Sequence, residues 1–215
     1  LQYTSGSTGS PKGVMVSQAN LLHNARLFYS FIDPRDDDVG VSWLPLFHDM
    51  GLILGILQPL FGGYPCVFMS PAAFLQRPAC WLQAMAEHGG TISAAPDSAY
   101  RLCVERLPSI PLASLKLDRW RAAINAAEPV HGHTMRAFAD AFASAGFRHA
   151  SFAPAYGLAE ATLFVAGKRH DQAPALIDCD RAALEQERRL RRGDGAQLGA
   201  CGSVPPGLRL AIRLE

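Results

Sequence analysis

The most informative stretch of this chain lies near its start and reads Tyr3-Thr4-Ser5-Gly6-Ser7-Thr8-Gly9-Ser10-Pro11-Lys12-Gly13. It combines hydroxyl side chains, glycines and one lysine. Glycines let backbone N–H groups approach phosphate oxygens closely, hydroxyls donate further hydrogen bonds, and the lysine supplies a positive charge. The stretch therefore predicts a loop that binds a polyphosphate group.

Three other interpretations of this stretch fit less well. A P-loop counted from Gly6 needs glycine where Pro11 stands, and Ser or Thr where Gly13 stands. The nucleophile elbow G-x-S-x-G needs a glycine at the position of Ser5. A flexible Gly/Ser linker is disfavoured because the apolar run Val14-Met15-Val16 follows directly.

The composition indicates a folded protein with no strong overall charge. The 215 residues are 49% hydrophobic and 18% charged, and 20 basic residues against 19 acidic ones leave a formal charge of +1. This balance provides no field that would hold nucleic acid or an anionic membrane. The five cysteines are odd in number and form no CxxC pair, so they indicate neither a disulfide framework nor a zinc site. We expect a cytoplasmic protein.

The sequence predicts neither a membrane span nor a signal peptide. The apolar run 50–61 is too short to cross a bilayer and contains Gly51, Gly55 and Pro59. No charged region precedes Leu1, as a signal peptide would require. Because a functional loop begins at the fourth residue, we expect this chain to be an internal piece of a longer protein.

Apolar runs of strand length alternate with segments of helical period, which predicts an α/β fold of layered sheets flanked by helices. The predicted strands are 39–44, 64–69, 91–95, 120–125 and 148–152. The predicted helices are 17–31, 52–60, 77–88, 97–106 and 130–145. Ser17 and Asp97 are the expected N-caps, and Gly89-Gly90 and Gly146 suit helix C-termini.

Charge density divides the chain into three expected parts. Residues 168–194 carry 13 of the 39 charged side chains, so we interpret residues 168–198 as a solvated, charged insertion. Residues 1–167 are then the expected partial α/β core. Residues 199–215, broken by Pro205-Pro206-Gly207, are the expected start of an incomplete β-rich subdomain.

Two later segments complete a family resemblance. One is Pro45-Leu46-Phe47-His48-Asp49-Met50-Gly51-Leu52, and the other is Ser151-Phe152-Ala153-Pro154-Ala155-Tyr156-Gly157-Leu158-Ala159-Glu160-Ala161-Thr162. Taken alone, a His-Asp pair before a glycine can equally be a helix cap with a buried histidine. Together with the first loop, the segments resemble the adenylate-forming enzymes, which include acyl-CoA synthetases, peptide-synthetase adenylation domains and luciferases.

The sequences of these motifs resemble those of one branch of the family, the fatty-acyl-AMP ligases. These enzymes load acyl chains onto carrier proteins of polyketide and peptide synthetases. The resemblance lies in His-Asp-Met-Gly-Leu-Ile at 48–53, Asn125-Ala126-Ala127-Glu128-Pro129-Val130, and Tyr-Gly-Leu-Ala-Glu-Ala-Thr-Leu at 156–163. The charged segment 168–194 falls where this branch carries an insertion associated with failure to use coenzyme A.

The resemblance implies a role for each motif. The first loop holds the β- and γ-phosphates of ATP while a carboxylate attacks the α-phosphate, giving an acyl-adenylate and pyrophosphate. A tyrosine stacks on adenine, and a glutamate binds Mg²⁺. The implied catalytic residues are Thr4, Lys12, His48 and Glu160, with Glu160 the metal ligand and with His48 and Gly51 bordering the acyl carboxylate. The implied nucleotide-binding residues are Thr4, Ser5, Gly6, Ser7, Thr8, Gly9, Lys12, Asn125, Ala126, Ala127, Glu128, Ala155, Tyr156, Gly157 and Leu158.

Two positions depart from the family pattern. Ala159 stands where most relatives have threonine, which removes a hydroxyl to the α-phosphate, and Thr162 is a candidate substitute. Ala126 stands where a glycine is expected in the adenine-binding turn. These departures motivate an alternative function, a non-catalytic nucleotide-binding scaffold. Retention of Lys12, Tyr156 and Glu160 favours the enzyme.

Three further segments have two interpretations each. The apolar run 52–57 is either the lining of an alkyl tunnel or ordinary core. His131 and His133 could be a pair of metal ligands, but the sequence shows no third ligand nearby. We therefore prefer to interpret them as the solvated start of a helix. The arginine-rich run 188–192 is a solvated face or a carrier-protein contact, because nearby acidic residues nearly cancel its charge.

The expected function is therefore activation of a medium- or long-chain fatty acid by ATP and Mg²⁺. The expected partners are the fatty acid and a phosphopantetheinylated acyl carrier protein, with no nucleic acid. Within the enzyme class the alternative is an acyl-CoA synthetase. The family's downstream ribose-binding aspartate, hinge and C-terminal lysine are absent, so the isolated piece is expected to be weak or inactive.

Overall fold

The computed structural model describes residues 1–4, 12–109, 112–169, 172–187 and 189–211. The chain opens with an antiparallel hairpin of β1 (Gln2–Thr4) and β2 (Lys12–Val14), in which Thr4 pairs with Lys12. The loop between them, with Ser5, Gly6, Ser7, Thr8 and Gly9, lies outside the described residues. The two ends of the expected phosphate loop are therefore adjacent.

Six of the described strands form the central sheet, in the order β4-β3-β5-β6-β7-β8. Strands β3 to β7 are parallel along the sheet, and β8 is antiparallel to β7. The strands are β3 (Gly40–Ser42), β4 (Cys66–Phe68), β5 (Ile92–Ala95), β6 (Ala122–Asn125), β7 (Phe152–Gly157) and β8 (Phe164–Gly167). This arrangement confirms the predicted α/β fold.

One helix precedes β3, and the others connect the parallel strands, as parallel pairing requires. In the described residues they are α1 (Gln18–Ile32), α2 (Asp49–Leu52), α3 (Gln58–Gly62), α4 (Pro71–Gln76), α5 (Ala79–Glu87), α6 (Asp97–Glu105) and α7 (Gly132–Ala141). A π-helical turn, Ile53–Leu57, joins α2 to α3. Short 3₁₀ turns lie at Leu107–Ser109, Leu112–Ser114, Ala143–Ala145, His149–Ser151 and Ala159–Ala161. Every described helix is too short or too polar to cross a membrane.

An aromatic cluster holds α5, α6 and α7 against the sheet. The Trp81 ring lies 5.1 Å from Trp120 and 5.3 Å from Tyr100, and Tyr100 lies 5.2 Å from Phe138. Tyr100 also contacts Phe152, at the start of β7. Each of these rings is fully buried. Edge-on aromatic pairs add to the stabilisation that burial provides, so this cluster fixes the strands on which the site depends.

The charged segment forms a hairpin of its own. Strand β9 (Leu176–Asp180) pairs antiparallel with β10 (Gly195–Gly199), and α8 (Arg181–Glu185) lies between them. Cys179 and Ala183 are fully buried, and the Lys168 Nζ donates to the carbonyls of Ala150 and Phe152 at 2.8 Å each. The interpretation of a wholly solvated segment is therefore wrong at these three positions. The proposed domain boundaries stay predictions.

Four sequence-based assignments of elements need correction. Residues His149–Ser151 form a 3₁₀ turn, and the strand predicted at 148–152 begins only at Phe152, because Pro154 and alanines give β7 a weak strand signature. The helix predicted at 52–60 begins at Asp49. Helix α4 was not predicted. Asp97 is the first residue of α6 and not its N-cap, because its carboxylate bonds to other elements.

Candidate active site

The predicted motifs follow strands β3, β6 and β7, whose carboxyl ends lie at one edge of the sheet. Ligands of open α/β sheets bind at such an edge. A cleft of about 1000 Å³ opens there, between the three loops and the hairpin β1–β2. The predicted site residues that line this cleft are Thr4, Lys12, His48, Ala126, Ala127, Gly157, Leu158 and Glu160.

The hairpin β1–β2 forms one wall of the cleft. Lys12 is exposed, and Thr4 opposite it is half-buried. Strand β1 also contacts the 3₁₀ turn Ala159–Ala161, which carries Glu160. A cation and a carboxylate therefore face the same space from two segments that are far apart in sequence.

His48 caps helix α2 and also lines the cleft, so both interpretations of the His-Asp pair hold in part. Its Nδ1 lies 2.8 Å from Asp49 Oδ1 and 3.2 Å from the Met50 backbone nitrogen. Nδ1 cannot donate to Asp49 and accept from Met50 at once. The hydrogen bond to Asp49 raises the pKa of His48 above its usual value, against the opposing effect of partial burial. The Met50 N–H also has Asp49 Oδ1 as an acceptor at 2.6 Å, so Nδ1 is free to donate to Asp49.

Gly51 lies behind the wall of the cleft and does not line it. A Cβ atom there would lie 2.2 Å from the Pro45 carbonyl oxygen. The glycine lets α2 pass close to the backbone of the preceding loop. Its contribution to the site is to position His48, which lies at the start of the same helix.

The turn after β6 presents backbone and small side chains to the cleft. Ala126 and Ala127 line the cleft, and Ala127 has a φ of 70°, which is uncommon for a residue other than glycine. Asn125 is fully buried and donates from Nδ2 to Asp97 Oδ1 at 3.0 Å. Glu128 points elsewhere, because its carboxylate accepts hydrogen bonds from the Ser98 backbone N–H and hydroxyl. The side chains of Asn125 and Glu128 thus support the turn.

The loop from β7 to β8 carries the last motif. Ala155 is buried in β7, and Tyr156 is about half exposed at the end of that strand, outside the cleft lining. Gly157 admits no side chain, because a Cβ atom there would lie 2.1 Å from the Leu163 carbonyl oxygen. The Leu158 N–H donates to that same carbonyl. The loop therefore closes tightly on itself and presents Glu160 outward.

Thr162, the candidate substitute for the missing hydroxyl, is buried and does not line the cleft. It has φ 74° and ψ −57°, a rare and strained conformation for a β-branched residue. The geometry gives no support to a contact between its hydroxyl and a phosphate.

Asp97 is the residue that sequence reasoning missed. Besides Asn125, its carboxylate accepts from the His131 backbone N–H at 3.0 Å and from the Thr134 hydroxyl at 2.9 Å. His131 lies at the N-cap position of α7 with its side chain 41% exposed, as expected for a solvated helix start, and its ring Nδ1 also lies 3.1 Å from the same carboxylate. The available signal was an acidic residue directly after a predicted strand and a proline.

The chain is thus an α/β domain with a cleft at the carboxyl edge of its central sheet, beside the hairpin β1–β2. The model of the AMP-binding enzyme family matches residues 1–213, and the chain belongs to this family.

Relatives include fatty-acid ligases. The medium-chain-fatty-acid–[acyl-carrier-protein] ligase TtuA of Teredinibacter turnerae is 45% identical over 87% of this chain and 29% of its own length. A long-chain-fatty-acid–AMP ligase of Mycobacterium marinum is 42% identical over 96% of this chain and 37% of its own length. The crystal structure of a fatty acyl-adenylate ligase from L. pneumophila, in complex with acyl adenylate and pyrophosphate, superposes with a TM-score of 0.85, at 42% identity over 94% of this chain and 36% of that one. The chain thus spans about a third of the length of the relatives it matches.

Proposed function

We propose that the complete protein containing this chain activates a medium- or long-chain fatty acid with ATP to an acyl-adenylate, with release of pyrophosphate. The observation that carries this proposal is the cleft in which Lys12, His48 and Glu160 face one space. The names of the relatives support a fatty-acid substrate.

The reaction is an in-line substitution at phosphorus. A carboxylate oxygen of the fatty acid attacks the α-phosphorus, the bond to the bridging oxygen breaks, and pyrophosphate leaves with that electron pair. Such a reaction needs positioning and charge neutralisation more than a protein nucleophile. Lys12 supplies a cation to the leaving phosphates, and the His48 ring borders the space proposed for the fatty-acid carboxylate.

Glu160 fits the role of a magnesium ligand. In the described residues no cluster of three His, Cys, Asp or Glu side chains is arranged as a metal site. Mg²⁺ commonly binds through one or two carboxylates together with substrate phosphates and water, so a single exposed carboxylate beside a phosphate loop suits it. When bound, Mg²⁺ supplies charge that neutralises the phosphate oxygens.

We propose further that the acyl group passes to the phosphopantetheine thiol of an acyl carrier protein in the cytoplasm. The carrier is named in the description of TtuA. All five cysteines are free, which suits a reducing compartment. Transfer to coenzyme A is the runner-up, and it would make the protein an acyl-CoA synthetase.

The test is exchange of labelled pyrophosphate into ATP by the complete protein, with Mg²⁺ and a series of fatty acids of increasing chain length. We expect fatty-acid-dependent exchange in the wild type, and a loss of about 100-fold in Lys12→Ala and in Glu160→Gln. Lys116→Ala and Glu105→Gln are matched controls, because both side chains are exposed outside the cleft lining. Absence of exchange with every fatty acid would favour the nucleotide-binding scaffold.

A further inference from the structure

Asn24 is a polar residue on the buried face of helix α1. Its neighbours on that face are apolar: Ala25, Phe28 and Ile32 are all buried in the core. Asn24 itself is only 3% exposed. A buried amide destabilises a protein unless its donors and acceptor find partners, so the presence of this side chain calls for an explanation.

The partners of Asn24 all belong to the loop that carries Glu160. The Asn24 Nδ2 donates to the carbonyls of Phe164 at 2.9 Å and Ala161 at 3.3 Å. The Phe164 N–H donates back to Asn24 Oδ1 at 3.0 Å. One amide therefore bridges α1 to both ends of a four-residue segment about 140 positions away in sequence.

That segment contains the strained residue Thr162. A β-branched residue with positive φ persists only where its surroundings determine the conformation. The hydrogen bonds of Asn24 lie on either side of it, at Ala161 and Phe164. Glu160 directly precedes Ala161, so the position of its carboxylate depends on the same segment.

Helix α1 is also tied to the phosphate-loop hairpin. Its N-cap, Ser17, lies only three residues beyond β2, and β2 carries Lys12. Farther along the helix, Phe28 and Phe31 pack on Phe164 of β8, with ring centroids 5.5 and 4.7 Å apart. The helix therefore spans the distance between the two elements that present Lys12 and Glu160.

We infer that Asn24 is a positioning residue, which holds the Glu160 turn in its strained conformation and sets that turn relative to the strand bearing Lys12. The inference rests on the proposed function for its consequence in catalysis. Its structural part, the amide bridge to the 161–164 segment, stands independently. Asn24 touches neither nucleotide nor fatty acid in this assignment.

The experiment compares Asn24→Ala with Asn20→Ala in the complete protein. Asn20 lies on the same helix, and its hydrogen bonds to side chains in the described part of the chain are those of the capping box with Ser17. Its substitution therefore also weakens α1 but leaves the Glu160 turn unchanged. Three quantities are measured: backbone amide exchange over 158–164 without nucleotide, the thermal unfolding midpoint, and the Mg²⁺ dependence of pyrophosphate exchange.

We expect Asn24→Ala to accelerate amide exchange over 158–164. It should also raise the Mg²⁺ concentration for half-maximal activity, or lower kcat, by about 10- to 100-fold, the usual effect of removing a residue that orients a metal ligand. Asn20→Ala should lower the unfolding midpoint without either change. If Asn24→Ala lowers only the midpoint and leaves amide exchange and Mg²⁺ dependence as in the wild type, the inference is overturned.

Asn24→Leu keeps the inference testable if the alanine variant does not fold. Leucine has nearly the shape of asparagine and suits the apolar face of α1, but it can form none of the three hydrogen bonds to Ala161 and Phe164. A folded Leu variant with wild-type amide exchange and Mg²⁺ dependence would also overturn the inference. A wild type without pyrophosphate exchange would instead refute the proposed function, and amide exchange would still decide the role of Asn24.

Discussion

Asp38 shows how one buried carboxylate secures the sheet edge opposite the cleft. It is 1% exposed, and it accepts hydrogen bonds from the Thr91 hydroxyl and the Arg35 N–H at 2.7 Å, and from the Arg121 guanidinium. Arg121 also donates to the carbonyl of Ile32 at the end of α1. Burial by itself would raise the pKa of Asp38, but these hydrogen bonds outweigh it and lower the pKa.

This lowered pKa predicts the direction of acid sensitivity. Because the folded pKa lies below the unfolded one, the contribution of Asp38 is fully present above the ordinary carboxyl pKa of about 4 and is lost as pH falls through the folded pKa. Asp38→Asn should reduce the free energy of unfolding at neutral pH by about 3 kcal/mol, because it leaves Arg121 buried without its carboxylate. It should also flatten the dependence on pH below about 4. Urea unfolding from neutral to acidic pH measures both effects.

Asp37→Asn is the matched control for this substitution. Asp37 adjoins Asp38 and also pairs with an arginine, Arg119, but its side chain is 74% exposed. Exposed ion pairs contribute little, so this variant should stay close to the wild type at every pH. Equal losses in the two variants would contradict the role assigned to Asp38.

At the scale of elements, Asp97 connects β6, α6 and α7 below the cleft. Asp97→Ala should leave the buried Asn125 amide and Thr134 hydroxyl without their partner, at a cost of about 1–3 kcal/mol for each unsatisfied group. Because Asn125 directly precedes Ala126 and Ala127, the KM for ATP should rise several-fold. Urea unfolding and the ATP dependence of pyrophosphate exchange measure the two effects.

The control for Asp97 is Ser98→Ala, in the same first turn of α6. Ser98→Ala removes only the exposed hydrogen bond from the hydroxyl to Glu128, and the Ser98 backbone N–H still donates to the Glu128 carboxylate and keeps it against the turn. We expect less than about 0.5 kcal/mol of destabilisation and an unchanged KM. If Asp97→Ala behaves like Ser98→Ala, the carboxylate does not support the turn after β6.

The elements that the sequence predicted well are those with strong local signals. Strands β3, β5 and β6 are short runs buried along their length, and α1 carries a capping box at Ser17. Strand β7 was misplaced because its residues have weak strand propensity and owe their conformation to pairing with β6 and β8. Pairing with strands that are distant in sequence cannot be recognised from a short stretch of residues.

The candidate site divides in the same way. The motifs around Lys12, His48 and Glu160 could be found in the sequence because each combines residue types typical of phosphate, carboxylate or metal binding. Asn24 and Asp97 were missed, because their hydrogen bonds join segments between 28 and 140 positions apart. A single sequence gives no hint of which buried amide will meet which backbone carbonyl.

At the scale of the whole molecule, the hairpin β9–β10 is attached to the body of the protein beside the turn after β6. The Gly199 N–H donates to the Val130 carbonyl at 2.7 Å, and Leu198 bridges to His131. A Cβ atom at Gly199 would lie 2.7 Å from Val130, so the contact is close. Helix α8 lies at the other end of the hairpin, directly after Asp180.

The position of the hairpin β9–β10 leads to a prediction about the acyl acceptor, which is the thiol of either a carrier protein or coenzyme A. An insertion fixed to the body can restrict the domain rotation that thioester formation needs, so we expect the wild type to load a carrier protein and not coenzyme A. Deleting residues 170–192 should keep adenylate formation and allow acyl-CoA to appear, but it also removes β9 and the buried Cys179. A gentler variant replaces 181–194 with Asn-Gly, since Asp180 and Gly195 already pair and a two-residue turn closes such a hairpin.

Both variants are assayed in the complete protein, with acyl-CoA and acyl-carrier formation measured in parallel. We expect the Asn-Gly variant to retain pyrophosphate exchange, because its ladder and its attachment at Gly199 are unchanged, and to form acyl-CoA. Wild-type protein that makes acyl-CoA as fast as it loads a carrier would contradict this role for the hairpin. The protein would then act as an acyl-CoA synthetase, and the charged segment would serve only to cover the surface beside α7.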